Sequence, residues 1–181
     1  MILCNWSSGK CALRKTIVWI LIAMALIPAL VHGKEPDRDA LFHIERNKNA
    51  NIVQYDAQLG TNGLLHTKQP IVAYWVRLAE EGQIKELTWV QRKFAYGFTV
   101  TLNEDENTAI LDMAADLGRS IMIVLDGADY RAMADINGVT SYVDKLFIHA
   151  SGEGLSTRVD HIELYGTSVQ DRSKQYERIT P

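Results

Sequence analysis

The sequence predicts an all-β fold with one short inserted helix, built as an antiparallel meander that forms a small barrel-like structure or a two-sheet sandwich. Alternation of apolar and polar residues is the first observation: Phe98, Val100 and Leu102 alternate with Thr99 and Thr101, which is the period of a strand. The second is that strand-like runs are short and separated by turn-rich segments. Closure into a barrel would remove exposed strand edges, and an α+β arrangement is a third alternative.

Nine strands are expected in order along the chain. They cover residues 40–47, 51–59, 71–78, 97–103, 108–115, 120–126, 130–136, 139–149 and 159–168. Asn137-Gly138 predicts a hairpin, because both residues tolerate the positive φ of a type I′ turn. The run 121–125 is apolar on both faces and predicts a central strand. We expect a core that contains Phe98, Val100, Leu102, Ile121, Ile123, Leu125, Ile162 and Leu164.

One segment has helical rather than strand spacing, and it predicts a helix over residues 88–96. Its apolar residues recur at the i, i+3 and i+7 positions Leu87, Val90 and Phe94. Such spacing places side chains on one helical face. Thr88 and Gln91 can form a capping box at the start, and Gly97 is a suitable stop.

The N-terminus has the pattern of a signal peptide over residues 1–33. Three basic residues precede a 15-residue apolar run at 16–30, and Val31-His32-Gly33 resembles a cleavage site. An uncleaved anchor is the weaker alternative, because a span usually needs about 20 apolar residues. We then expect a flexible lead-in at 34–39, a single β-rich domain at 40–170 and a polar C-terminal tail at 171–181.

Cleavage after Gly33 would change the composition of the chain. The remaining 148 residues carry 16 basic and 22 acidic residues, a net charge of −6, and no cysteine. This composition argues against a nucleic-acid partner and excludes disulfides and thiolate metal sites. The expected location is periplasmic or secreted, with membrane contact only if the signal segment is kept.

The first candidate binding residues lie in a polar turn, at Arg46, Asn47, Lys48 and Asn49. In one interpretation the Arg46 fork and the Lys48 charge bind a carboxylate or another small anion. In the other, which we favour, the asparagines serve turn geometry and the charges are solvated.

A second candidate is the stripe Trp89, Arg92 and Tyr96 on the predicted helix. Aromatic residues with arginine are typical of binding hot spots, so this stripe could face a pocket or a protein partner. The alternative is a helix packed on both sides as a lid on the core.

A weak metal-site candidate is formed by His149, His161 and Glu163. If residues 150–158 join two strands of a hairpin, one register places the two histidines opposite each other with Glu163 on the same face, and Gly152 and Gly154 leave the register open. Two imidazoles and a carboxylate suit zinc, but the spacing matches no specific motif, and we favour hydrogen-bonded histidines.

Function is not specified by any one motif. The sequence contains no nucleophile elbow, no phosphate-binding loop and no calcium loop, so no cofactor is expected. The leading hypothesis is an exported binding module for a small ligand or an envelope or extracellular component, rather than an enzyme. The alternatives are a protein-interaction module and a hydrolase. The hydrolase would draw on His43, Glu45, Arg46, Lys48, His149, His161 and Glu163.

Four runs resemble the uncharacterised family of the domain of unknown function 4833. They are Phe42 to Asn49, Val53 to Ala57, Thr88 to Lys93 and His161 to Gly166. The resemblance covers about residues 40–168, nearly the whole predicted domain. It implies a module of unassigned activity and brings no catalytic residues with it.

Overall fold

A computed structural model describes residues 38–47, 49–103, 105, 107–115, 117–152 and 157–180. The predicted signal peptide, Lys48 and most of the predicted lead-in lie outside these residues. Within the described ranges, no helix has the length and apolar character needed to cross a membrane.

The described residues form eleven strands, one α-helix and a 3₁₀ turn at Leu78–Glu80. The helix is α1 (Trp89–Phe94). The strands are β1 (Arg38–Arg46), β2 (Asn49–Gln58), β3 (Ile71–Arg77), β4 (Gln83–Glu86), β5 (Phe98–Asn103), β6 (Thr108–Met113), β7 (Ile121–Asp126), β8 (Asp129–Ile136), β9 (Val139–Ser151), β10 (Arg158–Ser168) and β11 (Lys174–Ile179).

All nine predicted strands are present, and two further strands, β4 and β11, are not anticipated by the sequence. All four residues of β4 are exposed, so this strand has no apolar alternation to detect. β11 lies inside the predicted polar tail 171–181, but it pairs with β10 from Ile162↔Ile179 to Thr167↔Lys174. Its alternation was missed because the half-buried positions are mostly polar.

The sheet has two arms that meet on one long strand. One arm runs β4-β3-β2-β1 and the other runs β5-β6-β7-β8. β10 pairs along one edge of the 13-residue β9. On the opposite edge, residues 139–142 pair with β8 and residues 145–148 pair with β1. Because one strand edge holds both arms, the sheet curls into a half-barrel.

The mostly β, barrel-like fold is therefore confirmed, with two departures from a closed antiparallel meander. β1 and β9 are parallel, from His43↔Lys145 to Arg46↔Ile148. Within the described residues, β4 pairs only with β3 and β5 only with β6, so the barrel is open between them. The four-residue β4 covers only residues 74–77 of β3, so among the described strands none pairs with residues 71–73 on that edge.

The concave side of the sheet holds the core. Phe42 stacks on Tyr55 with ring centroids 4.7 Å apart, and Phe98 meets Tyr55 edge-on at 5.7 Å. Gly166 allows β8 and β9 to approach β10 closely, because a Cβ there would lie 2.4 Å from both Ile136 Cδ1 and the Tyr142 carbonyl oxygen.

The predicted core is largely right but extends too far at β5 and β7. The four residues Ile121, Ile123, Ile162 and Leu164 are buried. Phe98, Val100 and Leu102 are half-buried, because β5 is a strand at the end of its arm. The prediction that Leu125 is buried is wrong, because this residue is 48% exposed. Leu125 lies on the same face of β7 as Ile121 and Ile123, but β6 pairs only with residues 121–123, so Leu125 at the end of the strand is not covered from that side. The opposite face of β7 is also open to solvent, since Met122 is exposed.

Helix α1 is shorter than predicted and has the predicted capping box. The Thr88 side chain accepts from the Gln91 backbone N–H, and the Gln91 side chain accepts from the Thr88 backbone N–H. Gly97 is needed for a reason other than a left-handed turn, because a Cβ there would lie 1.7 Å from the Arg92 carbonyl oxygen. At the Asn137-Gly138 hairpin, the predicted positive φ is found at both residues, 53° and 82°.

Candidate functional site

Two asparagines of the predicted polar turn have structural partners. Asn47 donates from Nδ2 to the Ala150 carbonyl at 3.1 Å and accepts from the Ala150 N–H at 3.2 Å. This pair of hydrogen bonds continues the β1–β9 ladder beyond the last strand residue. Asn49 accepts from the Asn51 backbone N–H at 3.0 Å. The Asn49 side chain therefore supports the local turn, whereas the Asn47 side chain joins β1 to β9. Lys48 lies outside the described residues.

Arg46 brings two of the predicted candidate groups together. Its side chain lies on the same side of β1 as Ile44, and Nη1 donates to the Tyr96 hydroxyl at 3.2 Å. Its Nε is buried and has no hydrogen-bond partner among the described residues. Burial raises the pKa of Tyr96, against the opposing effect of the Arg46 guanidinium. The polar turn and the end of α1 thus meet at the Tyr96 ring.

Neither predicted stripe of the helix faces wholly inward. Tyr96 is buried and Trp89 is 68% exposed, although both belong to the predicted binding stripe. In the other stripe, Leu87 is buried and Val90 is exposed. The two buried residues, Leu87 and Tyr96, lie just before and just after this six-residue helix. Tyr96 meets Trp75 edge-on at 5.2 Å, and the side chain of Phe94 is outside the described part of the structure.

A cavity of about 560 Å³ lies where the half-barrel is open. We call it the α1 cavity. Its walls come from β1, the 58–74 region, β4, α1 and the start of β5. They are formed by Arg38, Gln58, Gln69, Ile71, Val72, Ala73, Tyr74, Ile84, Glu86, Leu87, Arg92, Tyr96, Gly97 and Phe98. The cavity includes residues 71–73, which β4 is too short to cover.

Two arginines from separate elements line this cavity. Arg38, at the start of β1, lies 5.9 Å from the centroid of the Tyr74 ring. Arg92, on α1, donates from Nε to the Leu87 carbonyl at 3.1 Å, which fixes its stem. Its Nη2 lies 3.4 Å from Glu86, whose side chain is 92% exposed. An ion pair this exposed contributes little, so the Arg92 charge is weakly compensated.

A buried carboxylate holds the aromatic wall in place. Asp56 is 5% exposed and accepts from the Tyr74 hydroxyl and from Gln54 Nε2, the latter at 3.0 Å. Burial and the Asp56 carboxylate together raise the pKa of Tyr74 well above its usual range. The Tyr74 hydroxyl therefore stays protonated as a donor, and its ring is fixed beside Arg38.

A second polar cluster lies on the outer surface of β1, β9, β10 and β11. Strand register sets it in rows: His43, Lys145, Tyr165 and Tyr176 are neighbours across the strands, as are Glu45, Phe147, Glu163 and Arg178. His149 and His161 form a third row. We call this surface the His–Glu face. Its side chains are His43, Glu45, Lys145, Phe147, His149, His161, Glu163, Tyr165, Tyr176 and Arg178.

Glu163 is the most highly connected group of the His–Glu face. It accepts from the Tyr165 hydroxyl at 2.8 Å and the Tyr176 hydroxyl at 3.2 Å, and His149 Nε2 lies 3.3 Å away. Burial alone would raise the pKa of Glu163, but these hydrogen bonds outweigh it and keep the pKa below its usual value. Glu163 is therefore a stable carboxylate at neutral pH.

The histidines of this face are stacked. The rings of His149 and His161 have centroids 4.0 Å apart and an interplanar angle of 18°. Partial burial, followed by the charges of Arg178 and His149, lowers the pKa of His161, so its neutral form is favoured. The second carboxylate of the face, Glu45, lies 2.9 Å from Lys145 Nζ and 3.1 Å from His43 Nε2.

The structure thus combines some sequence candidates and adds residues that sequence reasoning missed. His149, His161 and Glu163 come together on one face through the hairpin register. Arg92 and Tyr96 line the α1 cavity, with Arg46 on the other side of the Tyr96 hydroxyl. The missed groups are Arg38, Gln58, Tyr74, Lys145 and Arg178. Arg38 fell in the predicted lead-in, whereas Gln58 belongs to the visible polar alternation of Gln54, Asp56 and Gln58.

Comparison with known proteins gives one positive result. A family model described as a domain of unknown function (DUF4833) matches residues 42–178. Searches of the curated proteins and of the solved structures find no match. The matched range covers β2 to β10 completely and includes most of β1 and β11. It contains the His–Glu face and every lining residue of the α1 cavity except Arg38. The chain therefore belongs to the DUF4833 family.

Proposed function

We propose that this domain is a binding module for a small anionic ligand, held in the α1 cavity. The observation that carries the proposal is the cavity itself, of about 560 Å³. Small-molecule sites in proteins usually occupy about 300–1,000 Å³ and combine apolar walls with a few polar groups. Ile71, Leu87 and Phe98 provide apolar surface here, and Arg38 and Arg92 provide charge.

The charges of the cavity favour an anion such as a carboxylate or phosphate. An arginine fork can donate two parallel hydrogen bonds to either group. The predicted mature chain has a net charge of −6, so it has no general attraction for anions. A local pair of arginines is therefore a more selective feature here than it would be on a basic protein.

Binding is favoured over hydrolysis by the groups that line the cavity. Among its described lining residues, the ionisable groups are two arginines, two tyrosines and the exposed carboxylate of Glu86. The amides of Gln58 and Gln69 add neutral donors and acceptors. This set supports recognition of a ligand, whereas hydrolysis needs a positioned nucleophile or general base.

A thermal-shift screen against di- and tricarboxylates, inorganic phosphate and sugar phosphates tests the proposal. Hits are then measured by calorimetry on the parent and on Arg38→Gln and Arg92→Gln. Loss of one charged fork should weaken binding about tenfold or more, as expected for a charge-assisted hydrogen bond. The control is Arg131→Gln, because Arg131 lies on β8 in an exposed ion pair with Asp129. Equal affinity in all four proteins contradicts the proposal.

Export is the second part of the proposal, and it rests on residues 1–33 alone. The basic start, the 15-residue apolar run and Val31-His32-Gly33 support cleavage and a periplasmic or secreted location. N-terminal sequencing of the protein from its native cells should find a chain that begins near Lys34. Recovery of the intact N-terminus in membranes contradicts cleavage.

A further inference from the structure

We propose that His149, His161 and Glu163 form a binding site for a divalent transition-metal ion of the zinc type. The site lies on the His–Glu face, and the inference is independent of the ligand proposed for the α1 cavity. Each of the three residues offers one ligand atom, and these atoms all lie within 4.8 Å of one another. β9 supplies His149, and β10 supplies the other two residues.

The distances to the carboxylate suit a shared metal ion. His149 Nε2 lies 3.3 Å from one oxygen of Glu163, and His161 Nε2 lies 3.8 Å from the other. In a tetrahedral zinc site with metal–ligand bonds of about 2.0–2.2 Å, neighbouring ligand atoms lie about 3.4 Å apart. Only small side-chain movements are needed to bring each imidazole nitrogen and the carboxylate to this spacing.

The chemistry of the three groups selects the class of ion. Two imidazoles and one carboxylate favour zinc, copper, nickel and cobalt, whereas magnesium and calcium require mostly oxygen ligands. The hydroxyls of Tyr165 and Tyr176 both donate to Glu163. Such outer partners orient a ligating carboxylate. Three protein ligands also leave a position of a four-coordinate ion for water.

The stacked rings of His149 and His161 must change their relative orientation when the metal ion binds. Nearly parallel rings, with an interplanar angle of 18°, direct their nitrogen lone pairs side by side rather than toward one point. One ring must therefore rotate as the ion binds. His149 has the room for this rotation, because its side chain is 31% exposed, against 13% for His161.

Arg178 opposes the metal-bound arrangement. Its Nη2 lies 3.1 Å from His161 Nδ1, and a guanidinium can only donate. In this arrangement His161 accepts at Nδ1 and carries its proton on Nε2. Ligation through Nε2 moves that proton to Nδ1 by way of solvent, and two donors would then face each other. The exposed Arg178 side chain must turn away, which weakens binding.

The Arg178→Gln variant therefore makes a directional test. A glutamine carbonyl can accept from the protonated Nδ1 of His161, as the outer partners of metal-bound histidines usually do. This variant should bind Zn²⁺ more tightly than the parent, by about tenfold or more. A His–Glu pair that serves only packing would show no such gain.

The experiment is a calorimetric titration of the purified protein with ZnCl₂, with MgCl₂ as the comparison ion. The parent should bind one Zn²⁺ at this site and show no Mg²⁺ binding there. His149→Gln and Glu163→Gln should weaken Zn²⁺ binding at least tenfold. The matched control is His43→Gln, because His43 lies on the same face beside Glu45 but outside the cluster; its affinity should be unchanged.

The NMR signals of the histidine rings provide a second measurement on the parent protein, which does not depend on whether the variants fold. In the parent, Zn²⁺ should shift the ring signals of His149 and His161 and leave those of His43 and His66 in place. The proposal is overturned if Zn²⁺ leaves the His149 and His161 signals unmoved, or if His149→Gln and Glu163→Gln bind Zn²⁺ as the parent does.

Discussion

The α1 cavity and the His–Glu face use the same sheet in different ways. The His–Glu face is a product of register: its side chains are cross-strand neighbours on four adjacent strands. The cavity is a product of incomplete closure: it lies where β4 ends before it covers residues 71–73 of β3. The face therefore depends on local pairing, whereas the cavity depends on how far the two arms curl toward each other.

The largest expected effect comes from the core that supports both regions. Ile123 is fully buried on β7, so Ile123→Ala should lower the free energy of unfolding by about 2–5 kcal/mol. Leu125→Ala is the matched control on the same strand, because its side chain is 48% exposed. The control should change stability by at most about 0.5 kcal/mol. Urea denaturation measures both, and equal losses contradict the burial assigned here.

An intermediate effect separates the two regions. A Cβ at residue 97 would lie 1.7 Å from the Arg92 carbonyl oxygen, so Gly97→Ala must displace α1 from the start of β5. We expect a loss of about 1–3 kcal/mol, the usual cost of overpacking, measured by urea denaturation. Ligands of the α1 cavity should bind more weakly, while Zn²⁺ binding at the His–Glu face stays the same. A variant that weakens both contradicts their independence.

The smallest effect concerns the ion pair between Glu177 of β11 and Arg119, which lies in the loop between β6 and β7. This pair joins β11, at the border of the His–Glu face, to the arm that contains β5 to β8. Glu177 accepts from Arg119 at 2.6 and 2.7 Å and from the Asn137 N–H at 2.7 Å. Hydrogen bonds from Arg119 lower the pKa of Glu177, against a smaller effect of burial. Glu177→Gln should cost about 1 kcal/mol at pH 7, measured by chemical denaturation.

The pH dependence of that cost has a definite sign. Because the pKa of Glu177 is lower in the folded protein, its stabilising effect is complete above the ordinary value of 4.5 and declines as the pH falls below it. The difference in unfolding free energy between parent and variant should therefore shrink below about pH 4.5. A difference that stays constant from pH 7 to pH 3 contradicts the role of this ion pair.

The sequence predicts most of the strands because their apolar residues alternate on a two-residue period. The sequence offers the pairing of His149 with His161 only as one register of a hairpin. The observed register depends on an irregularity between Val159 and His161, which apolar alternation does not indicate. Arg178 could not be placed in the same way, because the polar β11 shows no clear apolar alternation. The residues of a site built by register can thus be predicted only where each strand is recognised and no irregularity shifts the pairing.

The α1 cavity was not predictable from the same signals. Its position depends on the parallel pairing of β1 with β9, and no local pattern near residues 43–46 indicates a partner at 145–148. Arg38 and Arg92 meet in one cavity only after both arms are fixed on β9. How far the two arms curl toward each other depends on core packing between residues that are distant in the sequence. The alternation of apolar residues within a single strand does not indicate it.

The parallel pair also affects when the protein can fold during synthesis. β1 is made first among the strands, but its partner β9 follows about a hundred residues later. At about 5–20 residues per second, the edge of β1 waits roughly 5–20 seconds for that partner. Pairing across such a separation gives the fold a high contact order, which slows folding. The N-terminal arm of a nascent chain therefore presents an unpaired strand edge to chaperones until residues 145–148 have emerged.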